Sequence, residues 1–78
     1  MNKVTFVTNS GEGLPRTVEI RDDVLVSEFL SVNFEGDLDD YQFSIRRDGQ
    51  SHTADMDEVL QNGDRLVAAP RRVKGELN

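Results

Sequence analysis

Residues 26–49 read VSEFLSVNFEGDLDDYQFSIRRDG, and a change of period inside this stretch decides the fold class. Val26, Phe29 and Leu30 recur at the spacing of one helical face, and Gly36 follows as a stop, so the spacing predicts a helix over 26–34. Its start is weakly marked. Asp22 and Asp23 are candidate caps, yet neither is followed three residues later by the Glu or Gln of a capping box. After the acidic connection from Glu35 to Asp40, the period changes to two. In Tyr41-Gln42-Phe43-Ser44-Ile45-Arg46-Arg47 the apolar residues alternate with polar ones, as in a half-buried strand, and Asp48-Gly49 is hairpin-turn chemistry.

Outward from this stretch, the N-terminal side carries two more strands. Residues 3–8, KVTFVT, are rich in β-branched and aromatic types, and Asn9-Ser10-Gly11-Glu12-Gly13 supplies a turn. Residues 16–21, RTVEIR, alternate so that Val18 and Ile20 point inward and complete a hairpin. On the C-terminal side, residues 54–61, ADMDEVLQ, form a short helix or turn with Met56, Val59 and Leu60 toward the core, until Asn62-Gly63 interrupts them. Residues 65–69, RLVAA, make a last strand ended by Pro70, and RRVKGELN follows as an aperiodic tail. Four strands around one main helix make an α+β fold, with the helix laid across one sheet face. The expected core comprises Phe6, Val18, Ile20, Phe43, Ile45 and Leu66 together with the helix residues.

With 78 residues the chain holds one hydrophobic core and no deep substrate cavity. The absence of cysteine excludes disulfides, thiolate metal sites and a thiol nucleophile, and suits a reducing compartment. No run approaches the roughly 20 apolar residues of a membrane helix, and Met1-Asn2-Lys3 leads straight into a strand pattern, so a cytoplasmic protein is expected. Fifteen acidic against nine basic residues give a formal charge of −6, which repels nucleic acid and anionic lipid.

Leu60-Gln61-Asn62-Gly63-Asp64-Arg65-Leu66-Val67, followed by Pro70 and then Val73-Lys74-Gly75, resembles the ThiS and MoaD type of ubiquitin-like β-grasp protein. Val26-Ser27-Glu28-Phe29-Leu30 looks like that family's helix start, and Asp48-Gly49 stands where its mid-chain hairpin turn falls. The resemblance follows element order along nearly the whole chain. It implies a β-grasp domain over 1–70, a flexible tail over 71–78, and a mixed sheet whose face opposite the helix binds partners. It also implies a carrier whose C-terminal glycine carboxylate is adenylated by an activating enzyme. Glycine suits that chemistry because a side chain would obstruct a narrow channel leading to the nucleotide. Here the usual Gly-Gly end is replaced by Lys74-Gly75, and Glu76, Leu77 and Asn78 follow. A carrier role therefore requires a protease to expose Gly75 and an activating partner that tolerates Lys74 beside it.

Other clusters read as ordinary surface. Asp37, Asp39 and Asp40 lack the alternating ligands, central glycine and terminal Glu of a calcium loop. Asp55, Asp57 and Glu58 form a second cluster, two of which read as residues of a helix start. His52, the sole histidine, has no recognised spacing to a nucleophile or metal ligand and reads as an exposed loop residue. Gly11-Glu12-Gly13 lacks the third glycine and following helix of a phosphate loop.

In the β-grasp strand order that the resemblance implies, alternation places Thr5, Val7, Ser44, Arg46, Val67 and Ala69 together on the sheet face opposite the helix. The expectation is a monomeric, non-catalytic module without cofactor or metal. It binds another protein through Val7, Arg46 and Val67 on this face and Arg71, Arg72 and Lys74 of the tail, with the arginines converging at one end or face of the sheet. The alternative is a sulfur carrier or protein modifier reacting at Gly75, with an adenylating enzyme as partner.

Overall fold

The computed structural model describes residues 2–8 and 15–71. Strands β1 (Asn2–Thr8) and β2 (Arg16–Ile20), helix α1 (Val26–Asn33), a 3₁₀ turn (Leu38–Asp40) and strands β3 (Tyr41–Arg47), β4 (Gln50–Thr53) and β5 (Arg65–Pro70) follow in chain order. The strands form one five-stranded mixed sheet in the order β2-β1-β5-β3-β4. All neighbours are antiparallel except β1 and β5. With α1 across one face, the chain is α+β and its topology is compatible with a β-grasp fold. Among the described residues no helix is long and apolar enough to cross a membrane.

The core lies between α1 and the inward sheet face. Val26, Phe29 and Leu30 of the helix pack with Val4, Phe6, Phe43, Ile45, Leu66 and Ala68, all buried. An aromatic chain continues this core toward the end of β1. Phe6 meets Phe29 edge-on at 5.4 Å, and Phe34 meets Tyr41 at 4.9 Å and Phe43 at 5.5 Å, also edge-on. Such pairs contribute about 0.5–1.5 kcal/mol each beyond their buried area. Gly36 lets the Phe34 ring lie close, since a Cβ there would stand 3.2 Å from the ring tip. Val18, expected in the core, is half-buried and packs at its margin, because β2 is an edge strand.

The structure adds one strand to those expected and decides two local readings. A fifth strand, β4, follows the Asp48-Gly49 turn. Asp48 and Gly49 both adopt positive φ, 55° and 82°, which is the two-residue hairpin geometry whose twist matches the flanking strands. Gln50-Ser51-His52-Thr53 carries no apolar residue, so it has no alternation to read. It is a short polar edge strand, exposed throughout.

Of the two forms expected for residues 54–61, the structure has the turn, at Met56 and Asp57, and not the helix, although their composition suits one. Their backbone groups are spent on tertiary bonds. The Met56 and Glu58 carbonyls accept from the Ser27 and Val26 amides, and the Leu60 amide donates to the Val24 carbonyl. Ala54 and Leu60 are buried and Met56 packs on the core, but Val59 faces outward at 40% exposure.

Those same bonds explain how α1 begins without a capping side chain. Two of its first free amides are satisfied by the 56–58 segment, and Glu28 Oε1 accepts from the Leu25 amide at 3.0 Å. Asp22 and Asp23 form the preceding turn instead, with Asp23 at φ 66°.

Core burial implies an expected outcome. Ile45→Ala, at a fully buried site, should cost about 2–5 kcal/mol through lost transfer energy and a residual cavity. Val32→Ala, on the 81%-exposed face of α1, should stay within about 0.5 kcal/mol. Urea denaturation midpoints check both values.

Candidate protein-interaction face

The only buried charged or polar side chain among the described residues, Asp64, stands at the entrance to β5 and is 1% exposed. Arg47, at the end of β3, grips it with two parallel bonds. Nε donates to Oδ1 at 2.8 Å and Nη2 donates to Oδ2 at 2.7 Å. The Gln61 amide also donates to Oδ2, at 2.9 Å, so the carboxylate closes the Gln61–Asp64 turn as well. Gly63 sits in that turn at φ 90°, where a side chain would be strained. Burial alone would raise the Asp64 pKa. The Arg47 hydrogen bonds, the Gln61 amide and the charges of Arg47 and His52 outweigh it and hold the carboxyl below the ordinary range. The bond to Asp64 likewise raises the Arg47 pKa, against burial and with the help of neighbouring carboxylates.

Arg47 also lies 3.4 Å from Glu58, which is 2.8 Å from His52 Nε2. His52 is therefore a strand residue paired to a carboxylate, not a residue of a loop. This chain of polar groups ties β4, the 54–60 segment and the start of β5 together. It lies on the helix side of the sheet, where His52 is paired with Ile45.

The opposite face is set by the register. Val7 pairs with Val67, Val67 with Ser44 and Ser44 with Thr53, in one row across four strands. The next row runs Thr17, Thr5, Arg65, Arg46 and Ser51. Ala69 lies beside Gln42, and Lys3 beside Glu19. The face thus has a centre of small, half-buried side chains, Val67, Ala69, Ser44 and Thr5, bordered by exposed Arg46 and Arg65. Arg65 was not anticipated. Its position as the first residue of β5 and the period of two were the signals available for it.

Val7 lies on this face as expected, but at 8% exposure it offers little surface. Arg46 is exposed, whereas Val67 is half-buried. Arg46 and Arg71 do not converge. Arg71 is held at the other end of β3, its amide donating to the Asp40 carbonyl and its Nε to the Tyr41 carbonyl. Five residues of strand, about 17 Å, separate that end from Arg46. Arg72, Lys74 and Gly75 lie outside the described residues.

The acidic connection is also accounted for locally, since the Asp37 side chain accepts from the Asp39 amide and caps the 3₁₀ turn. A concavity of about 450 Å³ lies on the helix side, where the ends of β1 and α1 meet the start of β2, with Phe6, Arg16, Phe34 and Tyr41 among its walls. There Arg16 donates to the Asn33 carbonyl, satisfying the last turn of α1.

Comparison with known proteins finds no family model, no curated protein and no solved structure that matches the chain.

The lowered pKa of Asp64 fixes the sign of an acid effect. The unfolded chain takes up the proton first as the pH falls, so the stability this carboxylate contributes is present above the ordinary Asp range and lost through and below it, from about pH 4 downward. Asp64→Asn should flatten this part of the pH dependence of the urea midpoint. Asp64→Ala, which leaves a partly exposed Arg47 with only Glu58 beside it, should cost about 1.5–3 kcal/mol at neutral pH.

Proposed function

We propose that this chain is a non-catalytic module that binds a protein partner through the open face of its sheet, together with the basic stretch following β5. One observation carries the reading. Helix α1 and the 54–60 segment cover one side of the sheet, while Val67, Ala69, Ser44 and Thr5 on the other side stay accessible inside a border of arginines. Apolar centres with polar rims are the surfaces that proteins use to bind one another. The β-grasp-compatible topology agrees with kinship to the ThiS and MoaD type, for which an adenylating enzyme would be the partner.

Incorporating a photo-crosslinking amino acid tests this reading. Placed at exposed Gln42 beside Ala69, it should yield a discrete adduct in native cell extract, and Val67→Asp should abolish the adduct by setting a charge in the contact. The same crosslinker at Ser31, exposed on α1, should yield none. Adducts from Ser31 alone would place the interface on the helix and overturn the reading.

The carrier reading rests on a different observation. Pro70 pairs with Tyr41 and the Arg71 amide is fixed to Asp40, so the chain leaves the sheet at an exposed end four residues before Gly75. Intact-mass measurement on protein from the native source discriminates. Termination at Gly75, or an added sulfur there, supports the carrier. A chain ending at Asn78 supports the binder.

A further inference from the structure

Arg46 and Arg65 stand directly opposite one another on neighbouring strands, and both are exposed. The backbone bonds define how close they are. The Ala54 amide donates to the Phe43 carbonyl, so Phe43, Ile45 and Arg47 turn their backbone groups toward β4. Gln42, Ser44 and Arg46 must then bond to β5. This makes Arg46 and Arg65 a hydrogen-bonded pair, with Cα atoms about 5.5 Å apart and side chains on one face. Like charges directly opposite destabilise a sheet.

Among the described residues neither guanidinium has a carboxylate within ion-pair distance. Arg47, one residue further along on the other face, has two. The remaining charges of the open face, Lys3 and Glu19, are register partners of opposite sign. What is left uncompensated is the arginine pair, on a chain whose formal charge is −6. The Thr5, Ser44 and Ser51 hydroxyls border it, and Val67 lies next along β5 on the same face.

From this juxtaposition we propose that Arg46 and Arg65 form a receptor for an acidic segment of a protein partner, two guanidinium groups taking its carboxylates while an apolar side chain of the segment rests on Val67 and Ala69. The proposal builds on the module reading and gives the partner its chemistry. Charge complementarity selects this occupant. Planar guanidinium groups match carboxylates in paired hydrogen bonds. A long phosphate backbone would also meet the repulsion of the whole acidic chain, whereas a short segment lies within the roughly 8 Å over which the local pair dominates at physiological salt.

The test is an NMR titration of the full chain with the capped peptide Glu-Glu-Leu-Glu, followed at the arginine Nε–Hε and backbone amide signals, with inorganic phosphate and a ten-nucleotide single strand as comparison ligands. The peptide should shift the Arg46 and Arg65 side-chain signals and the Thr5, Ser44 and Val67 amides saturably. The Arg46→Gln/Arg65→Gln double variant should weaken binding about tenfold or more, while Arg21→Gln leaves it unchanged. Arg65→Glu should abolish peptide binding yet raise Tm, because it replaces a repulsive pair by an attractive one. Peptide shifts that survive the double variant, or a lower Tm for Arg65→Glu, would overturn the proposal. Tighter binding of phosphate or the single strand at the same residues would overturn it in favour of a phosphate ligand. These outcomes are separable from the crosslinking result. An adduct at position 42 without peptide binding keeps the module and removes the acidic partner, while peptide binding without an adduct keeps the arginine receptor and removes the contact beside Ala69.

Discussion

Where β5 begins, the carboxylate of Asp64 is withdrawn from water and held on three sides, by two bonds from Arg47 and one from the Gln61 amide. The same turn is stitched to β1, since the Gly63 amide donates to the Lys3 carbonyl and the Thr5 amide donates to the Asp64 carbonyl. β5 is thereby positioned between β1, with which it runs parallel, and β3, with which it runs antiparallel. Parallel neighbours cannot be joined by a tight turn, so the register of this pair must be set by contacts made far apart in the chain. An apolar pair at the same place would fill space without fixing direction. The bidentate geometry fixes the end of β3 against the entrance to β5, which is the attested use of buried ion pairs.

That anchor also sorts the two arginines at the end of β3. Because side chains alternate, once Arg47 turns to the helix side and is neutralised, Arg46 must turn to the open face, beside Arg65. The exposed positive pair is thus the geometric counterpart of the buried neutral one. Core stability and the charge of the candidate interface rest on the same register.

A second dependence runs through the segment between β4 and β5. Its carbonyls at Met56 and Glu58 complete the first turn of α1, and its Leu60 returns a bond to Val24. Helix and segment are each incomplete alone. An eight-residue helix is too short to be stable in water by itself, so α1 depends on this support and on the burial of Val26, Phe29 and Leu30.

The amino-acid sequence by itself determined the α+β class, the helix, four of the strands and most of the core, though not Val4, Val24, Ala54 and Ala68. These follow from local periodicity, and burial imposes period 3.6 or 2 on any chain that lays one face on a core. It also determined that Val67 and Arg46 share the face opposite the helix, because alternation along a strand is local as well. Only the tertiary structure decided the rest. β4 lacks an apolar face and exists because the Asp48-Gly49 turn returns the chain along β3. Residues 54–61 have helical composition, but their backbone groups bond to Val24 and to the first turn of α1, and these tertiary hydrogen bonds outweigh a propensity of a few tenths of a kcal/mol per residue. The Arg47–Asp64 grip, the Arg46–Arg65 opposition and the separation of Arg46 from Arg71 were beyond the sequence for one reason. Each is a relation between strands, set by sheet order and register, and those are fixed by contacts between residues far apart in the chain, as in the bond from the Gly63 amide to the Lys3 carbonyl.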